Sequence, residues 1–257
     1  MVSLHHFWCL ITSIVLFVFW IYPCWATTIV AIRTSDTFVM ASDSEGTFKG
    51  DDKPVASRPV SKIYHKVGVV YAVGGLAKDA KRGFDPAEAV AVSLEDSEPL
   101  LSAVTKLEAM VARSLKEELL KLQIEEPALF RDSIEGDNAG TTILFARFEK
   151  DQPVAIGIRF FGTAEPDGNL VVRTTRLTCP GDCPNGTYTF FIGHHKTIDK
   201  YVSEHGKHFA MPPEEAVRFM VQLEIDAKTP GVGPPIDTVR LDKNGVTWVS
   251  DRGQSKK

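Results

Sequence analysis

The run Cys24-Trp25-Ala26-Thr27-Thr28-Ile29-Val30 places a threonine directly after the small residue that closes an apolar leader. A cut after Ala26 makes Thr27 the first residue of the mature chain. A terminal threonine carries a nucleophilic hydroxyl and a base, its own α-amine, on one residue, so it needs no histidine to deprotonate it. Before the cut that nitrogen is an amide and no base. Two other groupings could do chemistry. Cys179 and Cys183 stand in Cys-Pro-Gly-Asp-Cys-Pro, a C-x3-C spacing that suits a small disulfide loop in an oxidising compartment. A zinc ribbon would need a second cysteine pair. His194, His195, His205 and His208 flank one helical stretch and would share a metal ion only if the fold brought both ends together. Solvated helix-end histidines are the plainer reading, and neither metal nor cofactor is expected.

The leader decides where the working protein starts. Residues 1–26 contain no Asp, Glu, Lys or Arg, and Phe7–Tyr22 is an almost unbroken apolar run ended by Pro23. Cys24 and Ala26 occupy the two positions where signal peptidase takes small side chains, so 1–26 reads as a signal peptide and 27–257 as one domain, secreted or periplasmic. The competing reading, an uncleaved anchor, needs a spanning helix of about 20 residues, longer than this run. The whole formal charge of −4 falls on the mature part. It argues against a nucleic-acid partner and against an anionic membrane surface once the signal is cleaved. The Asn185-Gly186-Thr187 sequon would be glycosylated only in a eukaryotic secretory pathway.

Strands and helices must hold a nucleophile at the mature terminus. Thr28–Arg33 and Thr37–Asp43 are nearly continuous apolar runs around the turn Thr34-Ser35-Asp36, which predicts a hairpin buried on both faces. A polar stretch, Ser44–Ser61, reads as a loop. Lys62-Ile63-Tyr64 and Val67–Val73, ending in Gly74-Gly75, predict a second strand pair. Asp85–Ser93 and Leu100–Leu122 predict helices, the latter from Leu100, Val104, Leu107, Val111, Leu115, Leu119 and Leu122 at three- and four-residue spacing. Strands follow at Thr141–Phe148, Val154–Phe161, Asn169–Arg176 and Thr187–Ile192, then helices at Lys196–Glu204 and Pro213–Lys228. Asp237–Leu241 and Val246–Ser250 close the chain around an Asn-Gly turn. Strands, helix pair, strands, helix pair, strands is the order of an α+β fold, a four-layer αββα sandwich of two stacked sheets with helices outside both.

At this point TTIVAIRTSDTFVMASDSEGT, SKIYH and YAVGGLAKDA together resemble the start of a mature proteasome-type β subunit, or of its bacterial two-ring relative, within the N-terminal nucleophile (Ntn) hydrolases. The resemblance covers Thr27–Asp79 and is architectural beyond. It implies Thr27 as nucleophile, Asp43, the sixteenth residue after it, as partner of a lysine, and Lys62 as the cation that lowers the pKa of the threonine hydroxyl and α-amine. It implies Gly75 as donor of an N–H to the developing oxyanion, Thr47 and Gly75 as backbone binders of substrate, and Val73 as the floor of an apolar specificity pocket. Each has a plainer account: a strand threonine, a turn aspartate, a surface lysine, a strand-end glycine or a core valine. In the C-terminal half, Gly193-His194-His195 stands where the family has a Gly-Ser-Gly turn. Asp226, Thr229 and Asp237 are the candidates for the remaining support of the α-amine. The implied function is an exported threonine-type hydrolase of peptide or protein substrates, assembled as a homo-oligomeric ring. The alternative is an inactive scaffold or binding protein that keeps the fold, and the mature N-terminus separates the two.

Overall fold

The computed structural model describes residues 27–50, 53–78, 83–95, 98–135, 140–165, 167, 169–183, 186–206 and 211–249. The signal-peptide reading, the Asn185 sequon and His208 fall outside the described residues.

The first hairpin is β1 (Thr28–Arg33) and β2 (Phe38–Asp43). Its turn is closed by Thr34, whose N–H donates to the Thr37 carbonyl at 2.8 Å and whose hydroxyl donates to Asp36 Oδ1 at 2.8 Å. The chain continues with β3 (Glu45–Gly50), β4 (Lys53–Pro59), β5 (Ile63–Lys66) and β6 (Val69–Gly75). Helices α1 (Pro86–Ser93), α2 (Leu100–Glu125) and α3 (Pro127–Glu135) follow. Then come β7 (Thr141–Glu149), β8 (Gln152–Ala164), β9 (Leu170–Cys179) and β10 (Tyr188–Gly193). Helices α4 (Lys196–His205) and α5 (Pro213–Asp226), with β11 (Ile236–Asp242) and β12 (Gly245–Trp248), complete the described chain. One five-stranded sheet has the order β10-β1-β2-β11-β12, another β5-β6-β7-β8-β9, and β3 and β4 pair on their own.

Three apolar clusters account for the strand patterns. Val30 and Ile32 of β1 and Val39 and Ala41 of β2 pack with Ile198 of α4 and with Ala216, Val217, Met220 and Val221 of α5. The alternate residues Ile29, Ala31, Phe38 and Met40 join Val70, Ala72, Leu144, Ala146 and Ala155 of the other sheet. Both faces of β1 and β2 are therefore covered, which is why their apolar runs do not alternate with polar residues. The third cluster joins Tyr71, Val73, Phe145, Ile156 and Phe160 to α1, α2 and α3. All seven periodic residues of α2 lie in it, none more than 2% exposed. Each is a side chain whose burial contributes about 1.5–3 kcal/mol relative to exposure.

Two elements depart from the sequence reading. The polar stretch 44–61 is not a loop throughout: β3 and β4 form a backbone ladder from Glu45↔Pro59 to Gly50↔Lys53, with an irregularity between Phe48 and Gly50. A further helix, α3, starts at Pro127, beyond the predicted end at Leu122, because proline at a first helical position gives up no intrahelical N–H bond. Cys179, at the end of β9, and Cys183 are disulfide-bonded with Cα atoms 5.1 Å apart. No helix among the described residues is long and apolar enough to cross a membrane.

Candidate active site

The site grows from one buried carboxylate. Asp43, the last residue of β2, is fully shielded from solvent, where an unpaired charge costs several kcal/mol. Lys62, just before β5 and itself buried, donates from Nζ to both oxygens, at 2.8 Å to Oδ1 and 2.7 Å to Oδ2. The Thr28 N–H donates to Oδ1 at 2.8 Å, and the N–H groups of Glu45 and Gly233 donate to Oδ2 at 3.2 and 3.4 Å. Burial pushes the Asp43 carboxyl above the ordinary aspartate value, against the downward pull of Lys62 and of the Thr28 and Gly233 N–H groups. One oxygen, Oδ1, thus holds both the lysine ammonium and the amide of the residue after Thr27.

Thr27 is fixed from the opposite side by the end of β10. Its carbonyl accepts from the His194 N–H at 2.8 Å, and the Thr28 hydroxyl donates back to the His194 carbonyl at 2.8 Å. Gly193, opposite Thr28 in the β1–β10 ladder, has φ +79, and a Cβ built on it would lie 1.8 Å from the Thr27 carbonyl oxygen. Only glycine lets the backbone come that close in that conformation. Gly74 brings the end of β6 to the same place, since a Cβ there would lie 3.7 Å from the Thr27 methyl and 2.5 Å from Cγ2 of Ile192. Gly75, with φ +81, follows and pairs with Thr141. Val73 points the other way, into the cluster shared with the helices. Thr47 lies in β3 opposite Ser57.

The C-terminal candidates have their own hydrogen-bond partners. Asp237 accepts from the Ser44 hydroxyl at 3.0 Å, Thr229 donates to Glu224 Oε2 at 2.6 Å, and Asp226 accepts from Gln222 at 2.7 Å. Glu224, absent from the sequence reading, caps α4: it accepts from the N–H groups of Thr197 and Ile198 at 2.7 and 3.1 Å and from the Thr197 hydroxyl at 3.0 Å. Burial alone would raise its carboxyl, but the hydrogen bonds from Thr229, Ile198 and Thr197 outweigh it and hold the group below the usual glutamate value. The half-buried His194 imidazole is lowered, chiefly by burial, with Lys196 and His195 adding to the effect and Glu224 and Asp43 opposing it. His195 bonds through Nδ1 to Asp199 at 2.8 Å, and His205 through Nδ1 to the Tyr201 carbonyl at 3.0 Å, at the other end of α4.

A cleft of about 340 Å³ is bounded at one end by Gly75, Ile192, Gly193 and His195 and runs along β8 and β9 past Gly157, Arg159 and Thr175. Thr27, the buried Asp43–Lys62 pair and a cleft bounded by Gly75 and Gly193 thus lie in one region of the fold.

No protein-family model matches the chain, and no curated protein matches it. A similar solved structure is an Anbu (Gly-1) mutant from Hyphomicrobium sp. strain MC1, 18% identical, with 89% of each chain covered and a TM-score of 0.48.

Proposed function

We propose that the chain is an exported threonine-type hydrolase of peptide bonds, active once its leader is cut away before Thr27. The observation that carries this reading is Asp43 Oδ1, which holds Lys62 Nζ and the Thr28 N–H at 2.8 Å each and so ties a buried cation to the residue next to the nucleophile. With Thr27 terminal, its α-amine accepts the hydroxyl proton as Oγ1 attacks the substrate carbonyl. An N–H donor at Gly75 stabilises the resulting oxyanion. The C–N bond breaks, the amine proton passes to the leaving nitrogen, and an ester on Thr27 remains. Water, deprotonated by the same amine, attacks the ester and releases the acid with Thr27 restored. A free α-amine titrates near 7.7–8.0, and a neighbouring cation lowers that value, leaving the base unprotonated near neutral pH.

The three clusters support a helix–sheet–sheet–helix stack, the architecture that the resemblance over Thr27–Asp79 implies. The Cys179–Cys183 disulfide supports export. Assembly into a ring is supported by Met110, Leu120 and Ile124, apolar residues that α2 leaves 40–83% exposed away from the core. Thr47 and Val73 are assigned to substrate binding on the resemblance alone. The scaffold reading keeps one observation in its favour: Asp226 and Thr229 bond to Gln222 and Glu224.

The test is hydrolysis of quenched fluorogenic peptides by protein shown to start at Thr27, beside Thr27→Ala. Turnover that disappears in the variant supports the hydrolase. Turnover that survives it, or is missing from a correctly processed wild type, overturns it.

A further inference from the structure

His194 is held against Thr27 by its backbone alone. Thr28 and Gly193 are Cα partners in the β1–β10 ladder, so the next step of that register sets His194 opposite Thr27. The bond from the His194 N–H to the Thr27 carbonyl, 2.8 Å, is one half of the exchange that directly opposed antiparallel residues make. In the other half, the nitrogen of Thr27 would face the His194 carbonyl. That carbonyl accepts the Thr28 hydroxyl at 2.8 Å instead. Thr27 thus presents to His194 the edge on which a strand residue carries its nitrogen.

None of these contacts uses the imidazole. The ring is half-buried, and among the described residues neither of its nitrogens has a hydrogen-bond partner. The charges that reach it come from Glu224 of α5, from Lys196 and His195 at the start of α4, and from Asp43 at the end of β2. It therefore lies between the cap of α4 and the carboxylate that binds the Thr28 N–H. Burial pushes its pKa below the usual histidine value, which keeps it neutral near neutral pH. A neutral imidazole has one nitrogen that accepts and one that donates, so it can take a proton on one side and release one on the other.

The neighbouring charged pair is less suited to moving protons. Asp43 is fully buried and accepts from Lys62 and from the N–H groups of Thr28, Glu45 and Gly233. Parting it from Lys62 would leave an uncompensated buried charge. Amide cleavage nevertheless needs a mobile proton, because the one that the Thr27 hydroxyl gives up must reach the leaving nitrogen.

We propose that His194 is a further catalytic residue, the carrier of that proton. As Thr27 Oγ1 bonds to the substrate carbonyl carbon, its proton passes to the α-amine. The ammonium so formed gives a proton through water to one imidazole nitrogen, and the other imidazole nitrogen gives its proton to the leaving nitrogen as the C–N bond breaks. Amine and ring both end neutral. The proposal rests on the hydrolase reading of Thr27, and its test separates the two.

Two substrates with one acyl group isolate the step. A peptide p-nitroanilide must be protonated to leave as an amine, whereas the p-nitrophenyl ester of the same peptide leaves as a phenolate and needs no proton. Wild type starting at Thr27 is compared with His194→Gln, His194→Asn, His205→Gln and Thr27→Ala. Both His194 variants keep the backbone bonds to Thr27 and Thr28, so urea denaturation should find them folded. They should cleave the anilide about a hundredfold more slowly in kcat/KM, the low end of what an acid–base group contributes, while keeping the initial burst of p-nitrophenolate. His205→Gln, at the far end of α4, should cleave both substrates like wild type. Equal losses on anilide and ester, or anilide cleavage undiminished in the His194 variants, overturn the carrier and leave Thr27 as the nucleophile. Cleavage of both substrates that survives Thr27→Ala, or is missing from wild type, overturns the hydrolase reading and the carrier with it.

Discussion

Gly193 faces Thr27 so closely that a single added carbon would lie 1.8 Å from the Thr27 carbonyl oxygen. Gly193→Ala should therefore lose stability on two counts: a left-handed backbone, which costs about 1–2 kcal/mol for a residue with a Cβ, and the displacement of Thr27. Gly68 is a control for the first, since it has φ +73 and nothing within 4 Å of a built Cβ. Urea denaturation should give a larger loss for Gly193→Ala than for Gly68→Ala, and only the former should lose peptide cleavage. Equal losses would mean that contact with Thr27 adds nothing.

Asp43 and Lys62 should behave as one unit. Removing one partner of a buried ion pair leaves an uncompensated charge and costs about 3–5 kcal/mol. Asp43→Asn and Lys62→Met should each destabilise strongly, and the double variant should lose less than the sum. Cleavage should follow a different rule: all three variants should be nearly inactive, because effects within a catalytic unit do not add. Additive stability losses would show that the pair seen at 2.7 Å is not coupled.

The carboxylate of Glu224 makes stability depend on pH. Its folded value is depressed, so its contribution is present above the unfolded glutamate value of about 4.3 and is lost as the pH falls through the lower folded value. Glu224→Gln should destabilise by about 1–3 kcal/mol near neutral pH, the penalty of a buried hydrogen-bonding group left with a poorer partner. Denaturation curves should converge with those of wild type only once the pH has fallen below the depressed folded value. A gap that stays constant with pH would mean that the charge is not what holds α4.

Much of this was legible in the sequence because it is local. β1 and β2 were marked by continuous apolar runs, and α2 by seven residues on one stripe. β3 and β4 were not, because a two-stranded ladder of polar, glycine- and proline-containing segments has neither period. α3 was hidden behind Pro127, a residue that serves equally as a stop and as a start. In the site, the spacing of Thr27, Asp43 and Lys62 was visible, and the structure brings Asp43 and Lys62 together beside Thr28. The clip from His194 to Thr27 and Thr28 spans 166 residues, and the cap from Glu224 joins α5 to α4. Contacts of that kind leave no pattern in a window of sequence. The doubled histidine after Gly193 marked the spot but not the backbone role that His194 takes there.

Hydrolysis by Thr27 requires a free amine at that residue. Thr27 sits just before β1 with its carbonyl held by His194 and its neighbour held by Asp43, the carboxylate that also holds Lys62. The α-amine exists only if the cut falls after Ala26. Edman sequencing of the exported protein should return Thr27, and protein that retains Ala26 should fold with unchanged stability yet cleave nothing, since an amide cannot accept the hydroxyl proton. Thr27→Ser keeps hydroxyl and amine and should retain turnover; Thr27→Ala keeps the amine and should have none. A mature terminus at any other residue, or cleavage by protein that still carries Ala26, would remove the α-amine of Thr27 as the base.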